Sequence, residues 1–239
     1  MKIDPAQYDA WYGTAFGSLC HRLEKDALFS LASFKPDDKV LDAGCGTGVY
    51  LEELLRLGLD VTGVDEDENI LKYAANSRGR GSTLIKAALQ DLPFESSSFD
   101  KVISVCTLEF VDKPLLALAE LSRVIKKDGI LLLGFLNKNS PWAKLRIEKG
   151  KETNSVWQGA KFYCLSDIAG IAFKAGLRMT GFKGAVYFPP EAEGKEISVI
   201  EAMEAEGGQR SPSTAAFIAA AFCVDKATTD VTRRVFFAT

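Results

Sequence analysis

The sequence predicts an α/β protein built on a doubly wound, mostly parallel sheet, and three observations carry that expectation. Short apolar runs alternate with helix-length amphipathic stretches from residue 39 to residue 136. KVLDAGCGTGVY (39–50) passes from the apolar pair Val40 and Leu41 through three alternate glycines into a helical pattern. LDVTGVD (59–65) is a second apolar run that again ends on an acid. A strand, a tight glycine turn and a helix start bring backbone N–H groups up to a bound ligand. Without a Cβ, Gly44 and Gly46 let that ligand approach the main chain closely.

The elements follow in order. After an aromatic N-terminal segment, Phe16, Leu19, Cys20, Leu23, Ala27, Leu31 and Phe34 recur at helical spacing, and Pro36 ends that helix. Strand 39–43 leads to helix 48–57, strand 60–64 to helix 68–77, and strand 83–86 follows. Strand 100–105, helix 113–125 and strand 129–136 continue the alternation, which implies parallel strands covered by helices on both faces. FYCLSDIAGIAFKAGL (162–177) reads as a helix with Ser166 and Asp167 near its cap and Gly176 near its stop. Two strands follow at about 178–187 and 215–224. A single domain spans 1–239, with an N-terminal segment (1–35) and two polar inserts at 137–161 and 188–213. Both inserts leave the sheet where strand C-termini point, the ligand end of such folds, and solvated surface helices are the alternative reading for their charges. The tail 225–239 ends on Val235, Phe236 and Phe237, too apolar for a free solvated segment.

Composition bounds the function. A chain of 239 residues with 47% hydrophobic content is long enough for one well-buried domain. A net charge of −3 gives no general affinity for nucleic acid or anionic membrane, and no segment approaches the length of a membrane span. The N-terminus has no apolar stretch like a signal peptide. Five cysteines without C-x-x-C pairs suit a reducing cytoplasm, and one histidine with no Cys/His cluster gives no metal site.

Glycine spacing separates cofactor classes. In a G-x-G-x-x-G dinucleotide fingerprint counted from Gly44, the third glycine would fall on Val49. Here the pattern is G-x-G-x-G preceded by Asp42, and Asp65 follows 21 positions after Gly44, near the spacing that puts a carboxylate on ribose hydroxyls. The competing reading of Asp42 and Asp65 is that they only cap turns.

This pattern resembles motif I of the class I S-adenosylmethionine (SAM)-dependent methyltransferases. The likeness extends through residues 89–135, where Leu92-Pro93-Phe94, Phe99-Asp100, Glu120…Arg123-Val124 and Asp128-Gly129 stand as in ubiquinone/menaquinone-biosynthesis-type methyltransferase domains. The resemblance covers about 36–136 and implies a Rossmann-like, seven-stranded sheet with an antiparallel C-terminal edge. It also implies SAM as cofactor, leaving as S-adenosylhomocysteine (SAH). Gly44, Cys45 and Gly46 would line the methionine part, Asp42 would help hold its ammonium, and Asp65 would take the ribose. Glu66 would lay its stem on the adenine face with its head in water, and Leu89 and Gln90 would meet the adenine edge. Cys106, after the fourth strand, would pass near the methionine tail. Ala88 departs from the aspartate that many relatives carry there.

SAM already carries its methyl on a sulfonium, so the protein has to align an acceptor, exclude water and remove a proton where the acceptor bears one. Tyr8, Trp11 and Tyr12 stand where related enzymes use N-terminal aromatics as a lid, and packing on the domain is the alternative. Tyr8 is the candidate beside the sulfonium, and Glu109 in TLEFV is the candidate base or acceptor orienter at the mouth of the site. Tyr12 and Trp142 are the candidate acceptor-binding residues. The sequence thus reads as a cytoplasmic SAM-dependent methyltransferase transferring a methyl group to the O, N or C of a small-molecule acceptor by direct in-line displacement. An RNA or protein methyltransferase, or a non-catalytic SAM-binding protein of the same fold, is the alternative.

Overall fold

A computed structural model describes residues 4–153, 155–209 and 211–225; the expected apolar tail lies outside them apart from Asp225. Five parallel strands, β1 (Lys39–Ala43), β2 (Asp60–Asp65), β3 (Thr83–Lys86), β4 (Phe99–Val105) and β5 (Ile125–Leu136), are joined by β6 (Leu177–Ala185) and β7 (Phe217–Val224). The order is β3-β2-β1-β4-β5-β7-β6, with β7 antiparallel to both β5 and β6. The chain winds outward from β1 through β2 to β3, then returns to β4 beside β1 and winds the other way. That reversal opens a crevice above the C-terminal ends of β1 and β4, where ligands of such sheets bind.

The alternation of apolar residues along the strands feeds two cores. Leu41, Val64, Leu131 and Leu133 point to one face and pack with α5 (Pro114–Val124) and α7 (Leu165–Lys174) through Leu118, Leu121 and Ile168. Val40, Val61, Ile103 and Leu132 point to the other and meet Leu28 of α2 (Ala15–Phe29) and Leu51 and Leu54 of α3 (Val49–Arg56). Fully burying each such side chain contributes about 1.5–3 kcal/mol.

Local chemistry sets the ends. Thr14 caps α2 by accepting from Gly17 N at 2.9 Å, which separates α2 from a short preceding helix, α1 (Pro5–Tyr12). The aromatic N-terminal segment is therefore helical, and α2 stops at Phe29, well before Pro36. Asp67 caps α4 (Glu68–Asn76) through Asn69 N at 2.9 Å. The helix expected from residue 162 begins at Leu165, because Tyr163 bridges to Asn137 and holds 162–164 extended. β5 begins at Ile125 rather than 129, since Ile125 pairs with Phe99 before the register shifts to Lys101 opposite Ile130. The first insert contains α6 (Pro141–Lys149), capped by Ser140, and the second contains α8 (Ile197–Gly207).

Candidate active site

The turn after β1 is shaped by backbone that only glycine adopts readily: φ is +82° at Gly44, +53° at Gly46 and +89° at Gly48. A Cβ on Gly44 would collide with the Thr107 side chain, whose hydroxyl donates to Gly44 O at 3.2 Å. A Cβ on Gly46 would instead enter open space. That space is part of a cavity of about 460 Å³ at the C-terminal edge of the sheet.

Two carboxylates stand at this turn in different states. Asp65, at the end of β2, accepts from Gly46 N and Asp67 N, each at 3.0 Å. Burial still raises its pKa above the ordinary carboxylate value, against those hydrogen bonds. Asp42 is only 2% exposed, and its Oδ2 has no hydrogen-bond partner. Burial, with the Asp65 charge adding to it, pushes the Asp42 carboxyl up to about 8. A buried, unpartnered carboxylate on a cavity wall is a socket for a cation.

The rest of the cavity wall comes from several separate segments. Leu89 and Gln90 follow β3, Ile70 comes from α4, and Cys106 and Thr107 follow β4. Cys106 holds φ +51°, a strained angle for a residue with a side chain, fixed by its N–H donating to Gly134 O at 2.8 Å. From the N-terminal side come Tyr8 and Tyr12 of α1, whose hydroxyls are 3.0 Å apart, and Glu24 of α2. Trp157 and Phe110, stacked with centroids 6.2 Å apart, close the opposite side.

The helix α1 is fastened to the glycine turn by one side chain. Asp9 accepts from the Thr47 hydroxyl at 2.6 Å and from the Tyr73 hydroxyl at 3.3 Å, and it pairs with Arg78 at 3.5 Å. Arg78 also lies over the Tyr12 ring, 5.8 Å from its centroid.

Most sequence-derived candidates meet in this cavity: Tyr8, Tyr12, Asp42, Gly44, Cys45, Gly46, Asp65, Glu66, Leu89, Gln90 and Cys106 all line it. Glu109 and Trp142 do not. Glu109 lies in a one-turn helix, Leu108–Phe110, that turns inward rather than to the mouth; it is 1% exposed and its Oε1 accepts from Leu136 N at 2.6 Å. Its backbone carbonyl accepts from Lys161 N at 2.7 Å, so it ties the first insert to the end of β5. Trp142 packs against Phe16 at 6.0 Å between centroids, and its Nε1 donates to Phe188 O at 2.8 Å. The first insert reaches the cavity through Val156, Trp157, Gln158 and Gly159, whereas among the described residues none of 188–213 lines it. That second insert turns back on the body of the protein, with Glu204 accepting from Val186 N and Tyr187 N and Arg22 of α2 bonded to Glu201 at 2.6 Å.

Sequence reasoning missed Glu24 and Tyr50, and both left a signal. Glu24 falls between Cys20 and Leu28 on the i, i+4 row of the α2 apolar stripe, an acid where the pattern calls for an apolar residue. Burial raises its pKa to about 7. Tyr50, two residues past the last glycine of the turn, is 8% exposed with an unpartnered hydroxyl on the cavity wall.

A doubly wound sheet with a glycine turn at its switch point, an unpartnered carboxyl oxygen at the end of β1 and a second acid at the end of β2 is an arrangement that would suit a cationic adenosine cofactor. Residues 41–133 match the family described as Methyltransferase domain. An uncharacterised protein of Mycobacterium tuberculosis, Rv2003c, is 30% identical over 188 residues, 78% of this chain and 63% of that protein, so the chain spans under two thirds of that relative's length. A ubiquinone biosynthesis O-methyltransferase of Cereibacter sphaeroides is 29% identical over 164 residues, 63% of this chain and 64% of that one. A solved SAM-dependent methyltransferase of Thermotoga maritima, described as a possible histamine N-methyltransferase, superposes with a TM-score of 0.65 at 22% identity, covering 91% of this chain and 94% of its own. The family match spans the stretch from the end of β1 through β4 into β5 that carries the glycine turn and both acids, and the solved structure shares the fold.

The residues present fit SAM. Asp42 Oδ2 offers a charge partner to an α-ammonium, and the open space at Gly46 admits a ligand against the main chain. Leu89 and Ile70 supply apolar surface. Among the described residues no helix is long and apolar enough to cross a membrane.

Proposed function

We propose that this protein transfers the methyl group of SAM to a small-molecule acceptor by direct in-line displacement. The observation that carries the proposal is the unpartnered Asp42 carboxylate beside the glycine turn, in one cavity with Asp65 and the N-terminal aromatics. Bound SAM supplies an activated methyl on a sulfonium, and the chain's residues supply binding, alignment and exclusion of water.

Asp42 takes the cofactor's ammonium, and the backbone of Gly44, Cys45 and Gly46 follows its methionine part. Asp65 turns its carboxylate to the ribose hydroxyls, while Leu89, Ile70 and the stem of Glu66 flank the adenine and Gln90 meets its edge. Gln90 answers for the adenine contact that Ala88 cannot make. Cys106 brings the main chain after β4 against the methionine tail. Tyr8 and Tyr12 close over the opposite side, where ring faces favour a sulfonium. Alignment of this kind supplies on the order of 7–11 kcal/mol of the barrier. The O-methyltransferase named among the relatives supports a small organic acceptor.

Incubation with SAM carrying an isotopically labelled methyl and a panel of small amines, phenols and carboxylic acids tests the activity. Label in an acceptor together with SAH release is the expected result. Tight SAH binding without transfer to any acceptor class, or label found only in RNA or protein, contradicts it.

A further inference from the structure

The charged residues on the cavity wall are all acidic. Glu24, Asp42, Asp65, Glu66, Asp67 and Asp112 line it, and among the described residues no Lys, Arg or His does. Asp42, Asp65 and Glu66 answer to the cofactor, Asp67 caps α4 and Asp112 pairs with Lys161 at 3.9 Å. Glu24 remains: it comes from the other side of the cavity, beside the lid, and makes no ion pair or hydrogen bond to any described residue. Tyr50 gives an independent sign of a ligand at the same place. Its side chain is buried and its hydroxyl is unpartnered. Glu24 is also the strongest charge acting on that hydroxyl. A carboxylate without a hydrogen-bond partner and a buried, unpartnered phenol that share a cavity are matched by a ligand group with several N–H donors.

We propose that the acceptor is an amine, held by the Glu24 carboxylate and the Tyr50 hydroxyl within the rings of Tyr8, Tyr12 and Trp157. This rests on the methyl-transfer reading above and names its substrate class. A carboxylate or phenolate would enter against a wall that carries acids and no base, whereas an ammonium ion gains from both the acids and the ring faces. Arg146, held between the rings of Trp142 and Trp157 at 5.2 and 5.1 Å from their centroids, is not on the wall, although its charge acts on Glu24 against the effect of burial.

The chemistry balances. The bound ammonium gives a proton to Glu24, which passes it to solvent. The freed nitrogen lone pair forms a bond to the methyl carbon as the carbon–sulfur bond breaks and its electron pair stays on sulfur. The methylated amine carries the positive charge that the sulfonium loses. A carboxyl titrating near 7 suits that transfer at neutral pH. The groups acting on Glu24 and its site from the surrounding elements are Tyr8 and Tyr12 of α1, Cys20 of α2 itself, Tyr50 of α3, Cys106 after β4, Glu109 and Arg146.

Calorimetry on the SAH-loaded protein with three probes of one size, 2-phenylethylamine, 2-phenylethanol and phenylacetate, tests this. The amine is expected to bind at least tenfold more tightly than the other two, with Glu24→Gln removing that preference and Tyr50→Phe reducing it. Amine affinity is expected to fall as pH drops below about 7, as Glu24 takes up a proton, and Glu24→Gln flattens that profile. SAH binding of both variants, measured first, shows that the cofactor side is intact. Phenylacetate or phenylethanol binding as tightly as the amine, no amine binding, or an unchanged preference in Glu24→Gln overturns the proposal while SAH binding stands. A parent protein that does not take up SAH overturns the methyl-transfer reading, and this proposal with it.

Discussion

The Gly46 amide donates to Asp65 Oδ2 at 3.0 Å, so the glycine turn after β1 and the acid at the end of β2 form one unit. Asp65 Oδ1 accepts from Asp67 N, and Asp67 in turn caps α4. One carboxylate therefore orders the turn, the start of a helix and a wall of the cavity.

Replacing Asp65 by Ala removes a charged hydrogen-bond acceptor from the proposed ribose site. SAM affinity is expected to fall by about 1.5–3 kcal/mol, the range for hydrogen bonds to a charged group. Calorimetry of the folded variant measures it; affinity equal to the parent's would place the ribose elsewhere.

Asp42 predicts a pH dependence whose sign follows from its raised pKa. Its carboxyl is pushed up to about 8 in the free protein, so near pH 7 it is largely protonated. Pairing with the cofactor's ammonium requires the charged form, so SAH binding at pH 7 is expected to release a proton. Affinity then rises with pH toward about 8, and Asp42→Asn removes the rise. The same shift acts on folding. A carboxyl raised in the folded state favours it most at low pH, so this group's contribution declines as pH climbs from the ordinary carboxylate range through about 8. Calorimetry in buffers of different ionisation enthalpy checks proton release, and no release at pH 7 would count against Asp42 as the ammonium partner.

Asp9 makes the N-terminal helix part of the site. Removing residues 1–13 deletes Tyr8 and Tyr12 from the cavity wall and Asp9 from Thr47, Tyr73 and Arg78. Turnover is expected to be lost while a folded core keeps weakened SAM binding. Parental turnover in the truncated protein would show that these aromatics only pack.

Arg123 has a structural task. It pairs with Glu120 at 2.7 Å and donates to Phe94 O at 2.6 Å and Leu92 O at 2.9 Å, while Glu120 accepts from Leu92 N at 2.9 Å. The pair clasps the LPF segment that follows the adenine-side loop. Arg123→Ala is expected to cost about 2 kcal/mol in unfolding free energy, read from denaturant midpoints. Any loss of SAM affinity should be smaller.

The central strands, the crevice and the glycine-turn wall of the cavity were legible because each rests on a local pattern. Val40 and Leu41 feed opposite cores, Gly44 and Gly46 take angles other residues avoid, and Asp65 ends a strand in register with β1. The resemblance also carried the antiparallel edge formed by β7 and β6. The wall opposite the glycine turn was less legible because it is assembled from distant segments. Whether Trp142 or Trp157 faces the cavity depends on how α6 folds back, which no short pattern encodes. Glu109 was drawn inward by the Leu136 amide, a contact 27 residues away in sequence. Glu24 was visible as a misplaced acid in an apolar stripe, but its setting emerged only when α2 met α1 and α3.

The most direct test of the account is calorimetric titration of the purified chain with SAH and, separately, with NAD. The account predicts one SAH site, weakened by Asp65→Ala and made insensitive to pH by Asp42→Asn, and no NAD binding. Binding of NAD without SAH, or SAH binding unaffected by both substitutions, would contradict it.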